Sequence, residues 1–172
     1  MAKSVKTQIV LDADVVIHFS KGGLLSLLPS IFPDYEYVLL ETVYEELKSL
    51  RSQVDNQIMR LKNITLQPFA PRGEMLREYA MLRSRFGKGE SACMAYCLFT
   101  HNVIGSSNLR DIRAYCEEKK IVYLTTIDFL WYAWRKKMLT IDEVNTFIAE
   151  VKQKGSKLPE VEIEKYVCET IL

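Results

Sequence analysis

Long apolar runs are missing from this 172-residue sequence. The apolar run that starts at Ile9 is interrupted by Asp12 before it reaches the length of the apolar part of a secretion signal. No later segment has the roughly 20 apolar residues in succession that a membrane-spanning helix needs. We therefore expect a cytoplasmic protein that makes no contact with a membrane.

Cysteines and histidines in metal-binding patterns are also missing. The four cysteines show no C-x-x-C spacing, which favours reduced cysteines in the core over a disulfide framework. The two histidines, His18 and His101, lie away from the acidic motifs described below. A zinc site is therefore not expected. The formal net charge of +1 neither favours nor excludes a nucleic-acid partner, so that question depends on local charge.

Apolar runs rich in β-branched residues alternate with amphipathic helical patterns, without internal repeats. This alternation is typical of an α/β fold with a central, mainly parallel sheet. The sequence predicts one domain over residues 1–172, with 139–172 as a C-terminal helical extension packed on it. The predicted strands are 8–12, 37–40, 102–106 and 121–125, with 64–67 as a weaker fifth. The predicted helices are 42–50, 73–85, 90–100, 109–119, 127–137 and 141–152.

The stretch "IVLDADVVI" places two acids where a buried strand ends. Asp12 falls at the carboxyl end of that strand, where open α/β sheets bind their ligands. Asp14 has two interpretations that do not exclude each other. It is a helix N-cap, or it supports a ligand-binding residue from behind.

Two glutamates begin or border helices that pack nearby. In "LLETVYEELKSL", Glu46 lies at the margin of the apolar face, where its stem could simply cover apolar surface. In "GKGESACMAYCLF", Glu90 opens a helix that is apolar on nearly all sides. The helix dipole stabilises such an acid by only a fraction of a kcal/mol at an exposed site, which is less than its burial costs. Glu90 therefore favours a bound cation.

Polar residues also follow the third and fourth clear strands. In "IGSSNLRDIRAYC", Asn108 is either a plain N-cap or a ligand, and Asp111 is one turn further on. In "YLTTIDFLWYAW", Thr126 is the simplest N-cap, and Asp128 enters the next helix. Parallel strands bring their carboxyl ends to one edge, so Asp12, Asn108 and Thr126 are expected to lie there together.

The acids taken together predict a cation site. Two like charges about 4 Å apart repel by about 4 kcal/mol at an effective dielectric constant near 20, so such a cluster needs a cation or shared protons. Oxygen ligands without suitably spaced His or Cys favour Mg²⁺ or Mn²⁺. Such ions suit hydrolysis of phosphodiester bonds.

At this point the chain resembles the PIN-domain ribonucleases, which include the VapC-type toxins of toxin–antitoxin pairs. The resemblance rests on "IVLDADVVI", "LLETVYEEL", "GKGESACMAYCL" and the order of elements from "IGSSNLRDIRAYC" to about Thr140. It implies a PIN-like three-layer α/β/α fold of four to five strands in the order 3-2-1-4-5. It also implies metal-dependent RNA cleavage, with the toxin of a toxin–antitoxin pair as one role. The implied partners are an RNA substrate, a small antitoxin protein and a second copy of the chain.

The resemblance assigns roles to the acidic residues. The expected catalytic residues are Asp12, Glu46, Glu90 and Asp111. The expected ligands of Mg²⁺ or Mn²⁺ are Asp12, Glu90, Asn108 and Asp111, with support from Asp14, Thr126 and Asp128. The chain departs from the family pattern at "SSN", where an aspartate is usual. Either Asn108 is then a neutral ligand or Asp111 is a displaced acid.

Two alternatives remain open. A haloacid-dehalogenase-like phosphatase also begins with a strand and D-x-D, as in "LDAD", but it gives Glu46 and Glu90 no role. A non-catalytic PIN-like binding domain would explain Asn108 as a lost metal ligand.

The case for RNA depends on a basic stretch between Lys48 and Lys88. Nine basic residues there outnumber three acids. At the rim of the site they would bind backbone phosphates, but they could equally be solvated helix faces.

Overall fold

The computed structural model describes residues 6–172, so the first five residues of the predicted domain lie outside the described part. Its centre is a sheet of five parallel strands in the order β3-β2-β1-β4-β5, flanked by helices. The strands are β1 (Gln8–Leu11), β2 (Glu36–Leu40), β3 (Thr65–Gln67), β4 (Val103–Gly105) and β5 (Tyr123–Leu124). The predicted fold class and strand order are confirmed.

In the part of the chain that the structure describes, eight α-helices surround the sheet, and two of them have less regular extensions. They are α1 (Ala13–Lys21), α2 (Glu41–Tyr44), α3 (Arg51–Asp55), α4 (Gly73–Arg83), α5 (Lys88–Thr100), α6 (Leu109–Lys119), α7 (Thr126–Arg135) and α8 (Ile141–Gln153). A 3₁₀ segment, Glu45–Leu50, extends α2, and a π-helical segment, Asn56–Leu61, extends α3. A further 3₁₀ turn spans Leu28–Ser30.

The prediction of a single regular helix over 42–50 is wrong. Only its first turn is α-helical, and the backbone leaves helical geometry at Lys48, where φ is 30° and ψ is −93°. The chain then continues as α3 and the π-helical segment, which the sequence did not predict. This kinked segment runs beside α1, and a pocket described below is lined by residues of both.

The core holds the helices against the sheet with apolar and aromatic side chains. Helix α5 packs on β1, β2 and β4, whereas α1, α7 and α8 pack against one another. The ring of Phe19 on α1 lies 6.1 Å from that of Phe129 on α7 and 5.1 Å from that of Phe147 on α8. All three side chains are buried, so their transfer from water is a large stabilising contribution.

After α8 the chain runs without a further helix to Leu172, and it packs on β5 and α7. Tyr132 donates a hydrogen bond to the carbonyl of Thr170 at 2.7 Å, and the Thr170 hydroxyl donates to the carbonyl of Tyr123 at 3.0 Å. The four cysteines are buried thiols, as predicted. Over residues 6–172, none of the helices combines the length and apolar character needed to cross a membrane.

Candidate metal centre

The carboxyl edge of the sheet brings the predicted polar residues together. The backbone N–H of Asp12, directly after β1, donates to the carbonyl of Gly105 at 2.8 Å. The N–H of Ser106, directly after β4, donates to the carbonyl of Leu124 at 3.0 Å. These bonds continue the parallel ladder by one residue, so the side chains that follow β1, β4 and β5 share one edge.

Asp12 is buried at this edge and begins α1. It is the N-cap, with Oδ1 accepting from the N–H of Ala13 at 2.8 Å, so the prediction that Asp14 caps this helix is wrong. Oδ2 accepts from the Ser106 hydroxyl at 3.0 Å. Burial raises the pKa of Asp12 well above its ordinary value, and the charges of Asp14 and Glu90 raise it further.

Asp14 lies in the first turn of α1 and faces the same space. Its Oδ1 accepts from the N–H of Val15 at 2.6 Å and its Oδ2 from the N–H of Ser107 at 2.8 Å. Burial nevertheless raises the pKa of Asp14 to about 6, with a smaller contribution from the charge of Glu90. The two aspartates and Glu90 are thus neighbours whose negative charges disfavour one another.

Glu46 and Glu90 meet at the start of α5. Glu46 Oε1 accepts from the N–H of Gly89 at 2.8 Å, so this carboxylate satisfies a free donor of the first helical turn. A Cβ atom at position 89 would lie 2.9 Å from Glu46 Oε2, so a larger residue there would displace the Glu46 carboxylate. Burial raises the pKa of Glu90, and the charges of Asp111 and Glu46 also raise it.

Asn108 occupies the N-cap position of α6, but its side chain caps nothing. Its amide Nδ2 donates instead to Glu90 Oε1 and, at 2.8 Å, to Asp111 Oδ2. The plain-cap interpretation of Asn108 is therefore wrong. Asp111 touches the site only through Asn108 and does not line the pocket.

The predicted N-cap of α7 is displaced by one residue. Thr125 is the cap, in a reciprocal capping box with Asp128, and Thr126 is the first helical residue. The hydroxyl of Thr126 accepts from the Ser107 hydroxyl at 2.7 Å and lies 2.8 Å from His18 Nδ1. Thr126 thus reaches Asp14 through Ser107, whereas Asp128 is outside the pocket.

These residues surround a pocket of about 280 Å³, which we call the acidic pocket. It is lined by Asp12, Ala13, Asp14, Ile17, Glu46, Gly87, Glu90 and Asn108. Four of the eight are acids, and no basic residue of the described chain is among them. Sequence reasoning did not assign Ser106 and Ser107 to the site, although "SSN" after a strand was a signal for them.

The donor set of the acidic pocket fits a hard divalent cation by its chemistry, because carboxylate and amide oxygens are the ligands of Mg²⁺ and Mn²⁺. The side chains are not converged as ligands, however. Within residues 6–172, no group of three or more His, Cys, Asp or Glu residues is arranged so that it could hold a metal ion. Asp14 and Glu90 instead accept hydrogen bonds from Ser107 and Asn108.

Two residues of the basic stretch form ion pairs with nearby glutamates. Lys88 contacts Glu45 at 2.7 Å and Arg77 contacts Glu74 at 2.7 Å. All nine basic side chains of the stretch are exposed. None of them lines the acidic pocket in the described chain.

The comparison with protein families gives one match. The model of the family described as PIN domain matches residues 8–170, which is nearly the whole chain. No curated protein is similar enough to count as a relative. The match leaves the phosphatase alternative without support. The chain therefore belongs to the PIN domain family, a family of nuclease type.

Proposed function

We propose that the protein is a cytoplasmic endoribonuclease that hydrolyses RNA phosphodiester bonds with the help of Mg²⁺ or Mn²⁺. The observation that supports this best is the acidic pocket, where four acids meet at the carboxyl edge of a parallel sheet without a basic partner in the described chain. Burial, together with the neighbouring negative charges, raises the pKa values of Asp12, Asp14 and Glu90, and no basic side chain lines the described pocket to offset this. A divalent cation is the simplest group that would supply the compensating positive charge.

In this proposal Asp12 and Glu90 are the main ligands, and Glu46 completes the site beside Glu90. Asn108 contributes its amide oxygen as a neutral ligand, or Asp111 takes its place as an acidic ligand. A bound cation would lower the pKa of the attacking water and stabilise the leaving oxygen. Asp14 and Thr126 hold Ser107, and through it the loop that follows β4. Asp128 fixes the start of α7 behind that loop.

The RNA partner is supported by the exposed basic stretch from Lys48 to Lys88, which would contact backbone phosphates beside the pocket. The resemblance to the VapC-type proteins adds three points to the same proposal. They are a role as the toxin of a toxin–antitoxin pair, a small antitoxin partner and a homodimer.

The test is cleavage of a single-stranded RNA by the purified full-length chain. We expect cleavage with Mn²⁺ or Mg²⁺ and none with EDTA. Glu90→Gln should abolish it, whereas the matched variant Glu41→Gln, at an exposed acid outside the pocket, should cleave like the wild type. Equal activity of wild type and Glu90→Gln would contradict the proposal.

A non-catalytic PIN-like binding domain is the second candidate, and one contact favours it. The amide of Asn108 already donates to Glu90 and Asp111, so these two acids are held without a cation. Under this alternative the wild type binds RNA without cleaving it. Cleavage that appears only in Asn108→Asp would support the alternative, because the substitution restores the acid that is usual at this position.

A further inference from the structure

A series of hydrogen bonds adjoins the acidic pocket and ends at a buried histidine. The backbone N–H of Ser107 donates to Asp14 Oδ2 at 2.8 Å, and the Ser107 hydroxyl donates to Thr126 Oγ1 at 2.7 Å. Thr126 Oγ1 lies 2.8 Å from Nδ1 of His18. Asp14 and His18 are one turn apart on α1 and share a face of the helix. The helix turn between them closes these contacts into a loop, which we call the hydrogen-bond ring.

His18 is a polar exception on the buried face of α1. The other buried residues of this helix are Val15, Val16 and Phe19. His18 is only 5% exposed, and a polar group at such a position destabilises the fold unless it is hydrogen-bonded. Burial, and to a smaller extent the charge of Lys21, lowers the pKa of His18 to about 4. The imidazole is therefore neutral at pH 7, with one nitrogen as donor and the other as acceptor.

The directions of the hydrogen bonds make His18 an acceptor. Ser107 Oγ accepts from the backbone N–H of Thr126 at 2.8 Å and donates its own proton to Thr126 Oγ1. The proton of the Thr126 hydroxyl is then directed to His18 Nδ1, which accepts it when the imidazole carries its proton on Nε2. Thr126 is fully buried, so without this acceptor its hydroxyl would compete with Ser107 for a partner or stay unpaired.

Ser107 is the middle residue of the segment that reaches the acidic pocket. On one side of it, the hydroxyl of Ser106 donates to Asp12 Oδ2 at 3.0 Å. On the other side, Asn108 lines the pocket, and its amide donates to Glu90. Because the three residues are consecutive, a shift of Ser107 also moves the contacts of its two neighbours. The position of Ser107 therefore affects the hydrogen bonds of three of the four acids of the pocket.

We propose that His18 is a positioning residue of the acidic pocket. As the acceptor for Thr126, it holds Ser107 in place, and with Ser107 the groups that meet the acids. His18 is not among the described residues that line the pocket, so it acts through these hydroxyls. Residues that orient metal ligands in this indirect way typically change metal affinity by a factor of about 10 to 100. The inference deepens the proposed function and rests on it for the identity of the pocket as a metal centre.

Two variants separate the acceptor of His18 from its packing. His18→Asn keeps an oxygen acceptor close to the position of Nδ1 but is smaller, whereas His18→Leu fills the position and has no acceptor. Backbone amide exchange is measured on the full-length chain without metal. The Ser107 amide should exchange about tenfold faster in His18→Leu than in the wild type, and within about twofold of the wild type in His18→Asn. His101→Asn, at the exposed histidine that ends α5, should leave this exchange unchanged.

The Ile104 amide is the reference for overall stability, because it donates to the carbonyl of Val122 within the sheet. The acceleration at Ser107 is expressed relative to the acceleration at Ile104. Equal relative acceleration in both His18 variants would show that only packing matters and would overturn the proposal. Unchanged exchange at Ser107 in His18→Leu would also overturn it.

The tautomer of the imidazole tests the same assignment without any substitution. Long-range ¹H–¹⁵N NMR spectra of the metal-free wild type at neutral pH should show His18 with its proton on Nε2. A proton on Nδ1, or a doubly protonated imidazole, would leave Thr126 without this acceptor and would overturn the proposal.

Calorimetric titration connects the hydrogen-bond ring to the metal site. Mn²⁺ should bind about tenfold more weakly to His18→Leu than to the wild type, and with nearly wild-type affinity to His18→Asn. Equal Mn²⁺ affinities of the wild type and His18→Leu would overturn the positioning role. A wild type that binds no Mn²⁺ and cleaves no RNA would contradict the proposed function alone, because the amide exchange still shows whether His18 holds Ser107.

Discussion

Asp12 and Asp128 are two buried aspartates at the starts of two helices, and their surroundings differ. They are 4% and 6% exposed. Asp128 accepts from the N–H and hydroxyl of Thr125 at 2.7 and 2.8 Å, and from Tyr166 at 2.6 Å. Asp12 accepts from one N–H and one hydroxyl and stands beside two further acids.

The difference separates a structural acid from a candidate ligand. Neutral donors surround Asp128 and hold the C-terminal segment on α7 through Tyr166, so no further group is needed there. Burial and like charges raise the pKa of Asp12, so the hydrogen bonds from Ala13 and Ser106 compensate its ionised form only in part. Both acids are buried at a helix start, Asp12 as the N-cap of α1 and Asp128 as the third residue of α7, and they differ in their hydrogen-bond donors and in the neighbouring charges.

The largest expected effect concerns activity. A catalytic divalent cation is worth several kcal/mol of transition-state stabilisation, so Asp12→Asn should lower kcat/KM for RNA about 1,000-fold. Asp128→Asn should retain cleavage with an unchanged dependence on Mn²⁺, measured on the folded fraction of the protein. Comparable losses in both variants would break the distinction between the two aspartates.

The next effect is a pH dependence of stability that Asp14 confers on the acidic pocket. Its pKa rises from 3.8 to about 6 on folding, so between these pH values the folded state binds more protons than the unfolded state. The free energy of unfolding should therefore fall by up to about 3 kcal/mol as pH rises through this window.

Urea denaturation at a series of pH values measures this effect as the difference between the wild type and Asp14→Asn. The difference in the free energy of unfolding should be small near pH 3.5 and largest above pH 6. It should stop changing roughly one pH unit above that value. Saturating Mn²⁺ should remove it at neutral pH. A difference that does not change with pH would contradict the charge frustration assigned to the pocket.

Stability at neutral pH gives an opposite ranking of the two sites. Asp128→Asn replaces one carboxylate oxygen by an NH₂ group, which then faces a donor of Thr125 or Tyr166. Unpaired buried donors cost about 1–3 kcal/mol of stability. Asp12→Asn removes a charge that the metal-free pocket disfavours, so its stability should equal or exceed that of the wild type. Urea denaturation at pH 7 without metal checks the ranking, and a less stable Asp12→Asn than Asp128→Asn would reverse it.

The smallest effect concerns the hydroxyls that contact the two aspartates. Ser106 donates to Asp12, and the loss of such a supporting hydrogen bond typically weakens a metal site about 10-fold or somewhat more. Ser106→Ala should therefore bind Mn²⁺ about tenfold more weakly by calorimetric titration. Thr125→Ala, the matched change beside Asp128, should leave the Mn²⁺ affinity unchanged although it removes a helix cap.

The sequence predicted the architecture better than the caps. The alternation of strands and helices and the placement of Asp12 follow from patterns that extend over many residues, whereas the strand order was implied by the resemblance to the PIN-domain ribonucleases. The sequence predicts Asp14 as the cap of α1 and Thr126 as the cap of α7, whereas the structure has Asp12 and Thr125 at these positions. The start of a helix depends on where the preceding strand leaves the sheet, which the local sequence does not determine.

Two features of the site could not be predicted for a different reason. The amide of Asn108 turns towards Glu90 and Asp111 because those acids come close in the folded chain. Its residue type is equally compatible with a cap. The break at Lys48, and the π-helical segment after it, likewise arise where the chain packs beside α1. Neither the orientation of the Asn108 amide nor the backbone irregularity after Lys48 can be recognised in a short stretch of sequence.

The most direct test of the central claim is a crystal structure of the full-length chain soaked in millimolar Mn²⁺, with anomalous scattering used to locate the ion. We expect an anomalous peak between Asp12 and Glu90, with the amide of Asn108 rotated away from Glu90, and no peak at Asp128. An acidic pocket without Mn²⁺ at that concentration, with Asn108 still bound to Glu90, would contradict the metal site and favour a non-catalytic binding domain.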